Sequence, residues 1–113
     1  MNAPFVEHLL ELLRPLGRIQ ARPMFGGYGI YCDGVMFGLV SDDVFYLKTD
    51  DVNRPMFEAR GLACFRYQKQ GKLVRVAYYE APAEALEDVD EMARWALPAL
   101  EVARRAATKR QKR

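Results

Sequence analysis

Residues 24–48 read MFGGYGIYCDGVMFGLVSDDVFYLK, and their apolar positions come in short runs bounded by turn residues, the pattern of strands rather than of a helix. Tyr28 to Cys32, Val35 to Val40 and Val44 to Lys48 are rich in aromatic and β-branched side chains, which fit a pleated, half-buried surface. Asp33 with Gly34 is a two-residue hairpin signal, because such a turn needs left-handed backbone that Gly adopts freely and Asp tolerates. Ser41, Asp42 and Asp43 supply a second turn. With Arg22 to Phe25 in front, the segment is predicted as an antiparallel meander of three to four strands.

Outward from this stretch the period changes. Pro4 suits a first helical turn, and Phe5, Val6, Leu9, Leu10, Leu12 and Leu13 recur at helical spacing until Pro15 and Gly17 stop the run. On the other side, Asp50 to Arg54 offer capping residues, Pro55 fits a first turn, and Met56, Phe57 and Ala59 precede a closing Gly61, which predicts a short helix. Leu62 to Gln68 and Lys72 to Tyr79 flank the turn Lys69, Gln70, Gly71 and read as a second hairpin. A last helix is predicted from the N-cap Asp88, with Val89, Met92, Ala93, Ala96, Leu100, Ala103 and Ala107 on one face. Pro98 inside it predicts a kink, or two helices meeting near Leu97. The order α, three to four strands, α, two strands, α lacks the strand-helix alternation of a parallel sheet, so the fold class is α+β, a two-layer sandwich on an antiparallel sheet.

A chain of 113 residues has room for one domain with one core, here taken as residues 1–113, and excludes an enzyme with separate cofactor and substrate domains. With 50% hydrophobic and 28% charged residues, it falls outside the composition of disordered chains. Charges interrupt every window long enough to span a bilayer, and no signal-peptide pattern opens the chain, which points to a cytoplasmic protein without membrane attachment. Cys32 and Cys64, without CxxC spacing, read as independent reduced thiols. The net charge of +2 conceals an asymmetry. Arg104, Arg105, Lys109, Arg110, Lys112 and Arg113 fall in the last ten positions with no acid among them, so the remaining 17 − 6 = 11 bases face all 15 acids. An acidic body of −4 therefore carries a basic, flexible tail of +6 at 104–113. That tail either complements the macrodipole of the last helix or contacts nucleic acid, where each neutralised phosphate releases counterions. The first use is the more ordinary one.

Candidate chemistry is sparse. Gly26, Gly27 and Gly29 invite a phosphate-loop reading, yet neither GxGxxG nor GxxxxGK[ST] is present and a strand follows, so a tight turn or close strand approach is the better account. His8 is the one histidine and lacks partners at metal-ligand spacing; Ser41, the one serine, is turn chemistry. Lys48 ends an apolar strand and could be a desolvated amine, although an edge lysine with its head in water is the plainer reading. No cofactor or metal and no catalytic constellation is expected. Tyr28, Tyr31, Phe37, Phe45, Tyr46, Phe65, Tyr67, Tyr78 and Tyr79 all fall on predicted strands, as in sheets that stack bases. The run Arg60 to Tyr67 echoes an RNA-recognition motif but has Leu62 and Cys64 where aromatics belong. Helices can cover one face of such a sheet; the other calls for water-tolerant tyrosines or a partner, and a homodimer is expected.

Met24, Phe25, Gly26, Gly27, Tyr28 and Gly29, then Tyr31 with Gly34, then Tyr46, Leu47 and Lys48, resemble the N-terminal domain of the TfoX/Sxy competence regulators. Phe57, Gly61, Phe65 with Tyr67, Tyr78 with Tyr79, Pro82, Trp95, Ala99 and Ala103 agree, so that the resemblance covers residues 20 to 105. It implies a bacterial α+β domain similar to the type III secretion chaperone fold. It also implies a non-enzymatic role in regulating DNA uptake, with a transcription factor, the cyclic-AMP receptor protein, as partner. Full-length members carry a further C-terminal helical domain, and this chain is expected to stand without one. The expected interaction surface is Met24, Phe25, Gly26, Gly27, Tyr28, Gly29 and Lys48, and the expected nucleic-acid contacts are the six tail bases.

Overall fold

Asp33 and Gly34 take φ of 50° and 87°, and the pairs Asp42 with Asp43 (52° and 60°) and Gln70 with Gly71 (52° and 79°) repeat that left-handed geometry, which closes three tight hairpins. In the computed structural model, which describes residues 3–24 and 26–111, these turns connect strands β2 (Gly27–Cys32), β3 (Val35–Ser41) and β4 (Val44–Lys48), and β5 (Cys64–Lys69) to β6 (Lys72–Glu80). A strand β1 (Ile19–Met24) precedes them, beginning three residues earlier than the apolar pattern suggested, because Gln20 alternates outward between inward Ile19 and Ala21. The six strands form one sheet in the order β1-β2-β3-β4-β6-β5, every neighbouring pair antiparallel. The predicted meander is β1 to β4. The second hairpin then adds through β6, leaving β5 as the outer edge.

The helices are α1 (Ala3–Leu13), α2 (Arg54–Ala59) and α3 (Val89–Gln111). Leu9 and Leu13 of α1, Phe57 of α2 and Met92, Ala96 and Leu100 of α3 bury in one cluster with Ile30, Cys32, Phe45 and Leu47 of the sheet. The layers are thus helix on sheet, and the α+β two-layer reading holds. Asp88 caps α3 as its side chain predicts, its Oδ2 accepting from the Glu91 N–H at 2.9 Å. A 3₁₀ turn over Ala83–Leu86, unmarked in the sequence, leads into it.

Two details of α3 differ from expectation. The helix runs through Pro98 as one element, which sets aside two helices meeting near Leu97 and leaves the kink as the alternative. Proline removes a single backbone bond there, while buried Trp95 and Ala96 before it and Ala99 and Leu100 after it dock both halves on the same core. Met92, Ala96, Leu100 and Ala103 of the expected face are buried, but Val89 is 40% exposed, and Trp95, Ala99 and Val102 join the buried side. Alanine at 96, 99 and 103 has no bulk to hold the helix off the sheet, so the close-approach face is set by small residues that carry a weak hydrophobic signal.

The loop from β4 to α2 is fastened by Asn53, which is 2% exposed. Its Nδ2 donates to the Lys48 carbonyl at 3.0 Å and its Oδ1 accepts from the Asp50 N–H at 2.9 Å. Asn53→Ala leaves both backbone groups without partners and is expected to destabilise the fold by about 2 kcal/mol, measurable by urea unfolding.

Candidate interaction surface

Strand register sorts the sheet into two faces. Tyr28 points with Ile30 and Cys32 toward the helices, whereas Gly29 and Tyr31 point away. The glycine-rich stretch therefore divides between faces. Gly26 holds the β1–β2 turn at φ 79°, and Phe25 lies outside the described residues. Gly27 approaches β3 so closely that a Cβ would lie 2.0 Å from the Val40 carbonyl oxygen. At Gly29 a Cβ would meet Met24 Sδ at 2.7 Å, Tyr31 Cε1 at 3.0 Å and Met36 Sδ at 3.2 Å, so these three side chains close over the missing one. A shallow cleft of about 150 Å³ opens beside Gly26, Gly27, Asp42 and Asp43. The glycines answer to turn geometry at Gly26, backbone approach at Gly27 and side-chain cover at Gly29.

Lys48 lies at the opposite end of β4 from that turn, so the structure does not join it to the glycine stretch. Nor is it an edge lysine: β4 pairs with β3 on one side and β6 on the other. Lys48 stands opposite Tyr78 on the helix-free face, its Nζ 5.2 Å from that ring's centroid. Burial lowers the Lys48 pKa, the charge of Arg110 lowers it further, and Asp50 partly restores it. Nearby, the Arg22 guanidinium sits 4.5 Å from the Tyr31 ring centroid. Tyr46 meets Phe65 edge-on at 4.9 Å, and Phe65 stacks on Tyr67 at 6.3 Å. Arg22, Met36, Tyr31 and Tyr78 escaped the sequence reading as a group; outward alternation on strands that are not consecutive would have found them.

Tyr78 is pushed up to about 12 from an ordinary value of 10, chiefly by burial and then by Tyr31. The unfolded chain loses that proton first, so stability falls as pH rises above 10 and goes on falling until the folded phenol ionises near 12. Phenolate absorbance should show a step near 12 that Tyr78→Phe removes.

Of the tail bases, Arg104, Arg105, Lys109 and Arg110 lie on α3, and Lys112 and Arg113 fall outside the described residues. Arg105 pairs with Asp50 at 2.8 Å and holds this end of the helix beside β4. Cys32 is buried, and burial together with the Asp33 carboxylate pushes its thiol up against the opposing effect of Arg104, which suits a packing residue and not a nucleophile. Cys64 is a second free thiol, on β5, four strands away in sheet order. His8 donates from Nε2 to the Leu86 carbonyl at 2.6 Å, and among the described residues no group of three His, Cys, Asp or Glu side chains could hold a metal ion. No helix among them is long and apolar enough to cross a membrane.

Comparison with known proteins joins this fold to a family. The sequence profile of the TfoX N-terminal domain matches residues 11–103. The chain belongs to the TfoX N-terminal domain family. It is 30% identical over 92 residues to DNA transformation protein TfoX1 of Aliivibrio fischeri, covering 75% of this chain and 44% of that protein. It is 32% identical over 69 residues to Protein Sxy of Escherichia coli, covering 61% of this chain and 33% of that one. The chain thus spans less than half the length of either relative. The match takes in the glycine stretch, Lys48 and the aromatic strands, and it ends immediately before the tail bases.

Proposed function

We propose that this domain is a non-enzymatic regulator of DNA transformation that works by binding another macromolecule, with a transcription factor as its protein partner. The observation that carries this reading is the TfoX-domain match, together with a relative named for DNA transformation. Deleting the gene in its host should lower transformation frequency and the transcripts of DNA-uptake genes, with both restored by a plasmid copy. Unchanged frequency and transcripts would overturn the reading.

A second reading is favoured by the bases that lie beyond the matched segment: nucleic-acid binding through the tail. Removing Lys109 to Arg113 takes away four charges. It should flatten the slope of log affinity against log salt by roughly three to four, at about 0.7 to 0.9 for each phosphate that is no longer neutralised.

A further inference from the structure

The face of the sheet away from the helices combines two kinds of group that one ligand class needs together. Alternation from the observed register turns Arg22, Lys48, Lys69 and Lys72 to this face, against Glu80 among the described strand residues and the turn carboxylates Asp42 and Asp50, whose charges act on Tyr46 and Lys48. Two of those cations lie on tyrosine rings, Arg22 on Tyr31 at 4.5 Å and Lys48 on Tyr78 at 5.2 Å. The pair Arg105–Asp50, 2.8 Å apart, fastens the basic end of α3 beside β4, which brings the Arg110 charge to bear on Lys48. Like charges held together by the fold repel in the free protein and attract an anion placed between them. A second copy docked on this face would set cation against cation, so charge disfavours the homodimer here and favours a polyanion.

The rings narrow the choice of polyanion. A duplex presents phosphates and groove edges and keeps its base faces stacked, whereas a single strand offers phosphate and exposed base faces at once. Arg22 on β1 and Lys48 on β4 are three strand spacings apart, roughly 14 Å, the reach of a few nucleotides, with Tyr31 of β2 between them, Tyr46 on β4 itself and Tyr78 on β6 just beyond. We propose that the helix-free face of the sheet binds a short single strand of DNA or RNA, with Arg22 and Lys48 holding phosphates and Tyr31, Tyr46 and Tyr78 stacking bases. This goes beyond the regulatory reading and does not rest on it. It also differs from the tail reading, in which the sheet has no part.

Fluorescence anisotropy on the full chain tests it, using labelled oligo(dT) and oligo(U) of about 12 nucleotides, within the site sizes of sheet-based single-strand binders, and a duplex of equal length. Both single strands should bind at low salt, the tighter of the two identifying DNA or RNA, with the duplex about tenfold weaker. Tyr31→Ala and Lys48→Gln should each weaken single-strand binding by about tenfold, while circular dichroism reports an intact fold. If Tyr31→Ala does not fold, Lys48→Gln decides. Failure of the wild-type chain to bind, or equal binding of the duplex, overturns the proposal. So does a loss of binding on removing Lys109 to Arg113 that Tyr31→Ala and Lys48→Gln do not share. Sedimentation showing a wild-type dimer that Tyr31→Ala splits into monomers would overturn it in favour of a second copy. None of these outcomes depends on the transformation phenotype.

Discussion

Gly27→Ala is expected to cost about 3–5 kcal/mol of folding stability, most of the margin of a small domain. The added Cβ would lie 2.0 Å from the carbonyl oxygen of Val40, 3.1 Å from its carbonyl carbon and 3.5 Å from the Cα of Ser41. All three are backbone atoms, so no rotamer change relieves the overlap. Nor can β3 retreat freely, because it is bonded to β2 on one side and to β4 on the other, and moving it strains both ladders. Thermal unfolding should fall by on the order of 15 °C. Gly26→Ala is the control: it meets nothing within 4 Å, and its penalty is the left-handed φ of 79°, worth about 1 kcal/mol. If Gly27→Ala unfolds within 1 kcal/mol of wild type, the close approach of β2 to β3 is not what requires glycine.

That contrast explains why the stretch carrying the family resemblance was legible as a fold and hard to read as a site. Turn residues and alternation are local signals, and Asp33 with Gly34, Asp42 with Asp43 and Gln70 with Gly71 place the hairpins without reference to the rest of the chain. What β6 pairs with is not local. Its partner β4 is set by the α2 crossover and by Leu47 meeting Tyr79, so Lys48 reads as an edge residue in the sequence and lies on an inner strand in the sheet. The buried stripe of α3 was legible at Met92, Ala96, Leu100 and Ala103 and was missed at Trp95, Ala99 and Val102. Alanine carries little hydrophobic signal, yet it is the residue that lets the helix settle on the sheet beside Trp95 and Leu100. The cationic face was hidden because its members come from β1, β4, β5 and β6, and only the sheet order brings them together.

Phe57→Ala is expected to be as damaging as the glycine change, at about 3–5 kcal/mol, by the opposite mechanism of removing volume. Phe57 is the fully buried residue of a six-residue helix, which is too short to be stable by its own backbone bonds. It packs edge-on to Trp95 at 5.0 Å and against Tyr79 at 5.8 Å, so one ring ties α2 to both α3 and β6. The surroundings have little freedom to collapse into the space: Arg60 is held to Glu84 by two bonds of 2.6 and 3.1 Å and lies over the Trp95 ring at 5.8 Å. Hydrogen exchange should therefore speed up across 54–61 by more than in β2 or β3, as α2 comes loose before the sheet does. Trp95→Phe separates the ring contact from the indole N–H. The Trp95 Nε1 is buried with no hydrogen-bond partner among the described residues, so replacing it removes an unmet donor along with some packing. The two changes oppose each other, and Trp95→Phe should stay within about 1 kcal/mol of wild type while Phe57→Ala does not. A Phe57→Ala protein as stable as wild type would mean that α2 is held by its loop contacts, Asn53 foremost, and not by its single buried ring.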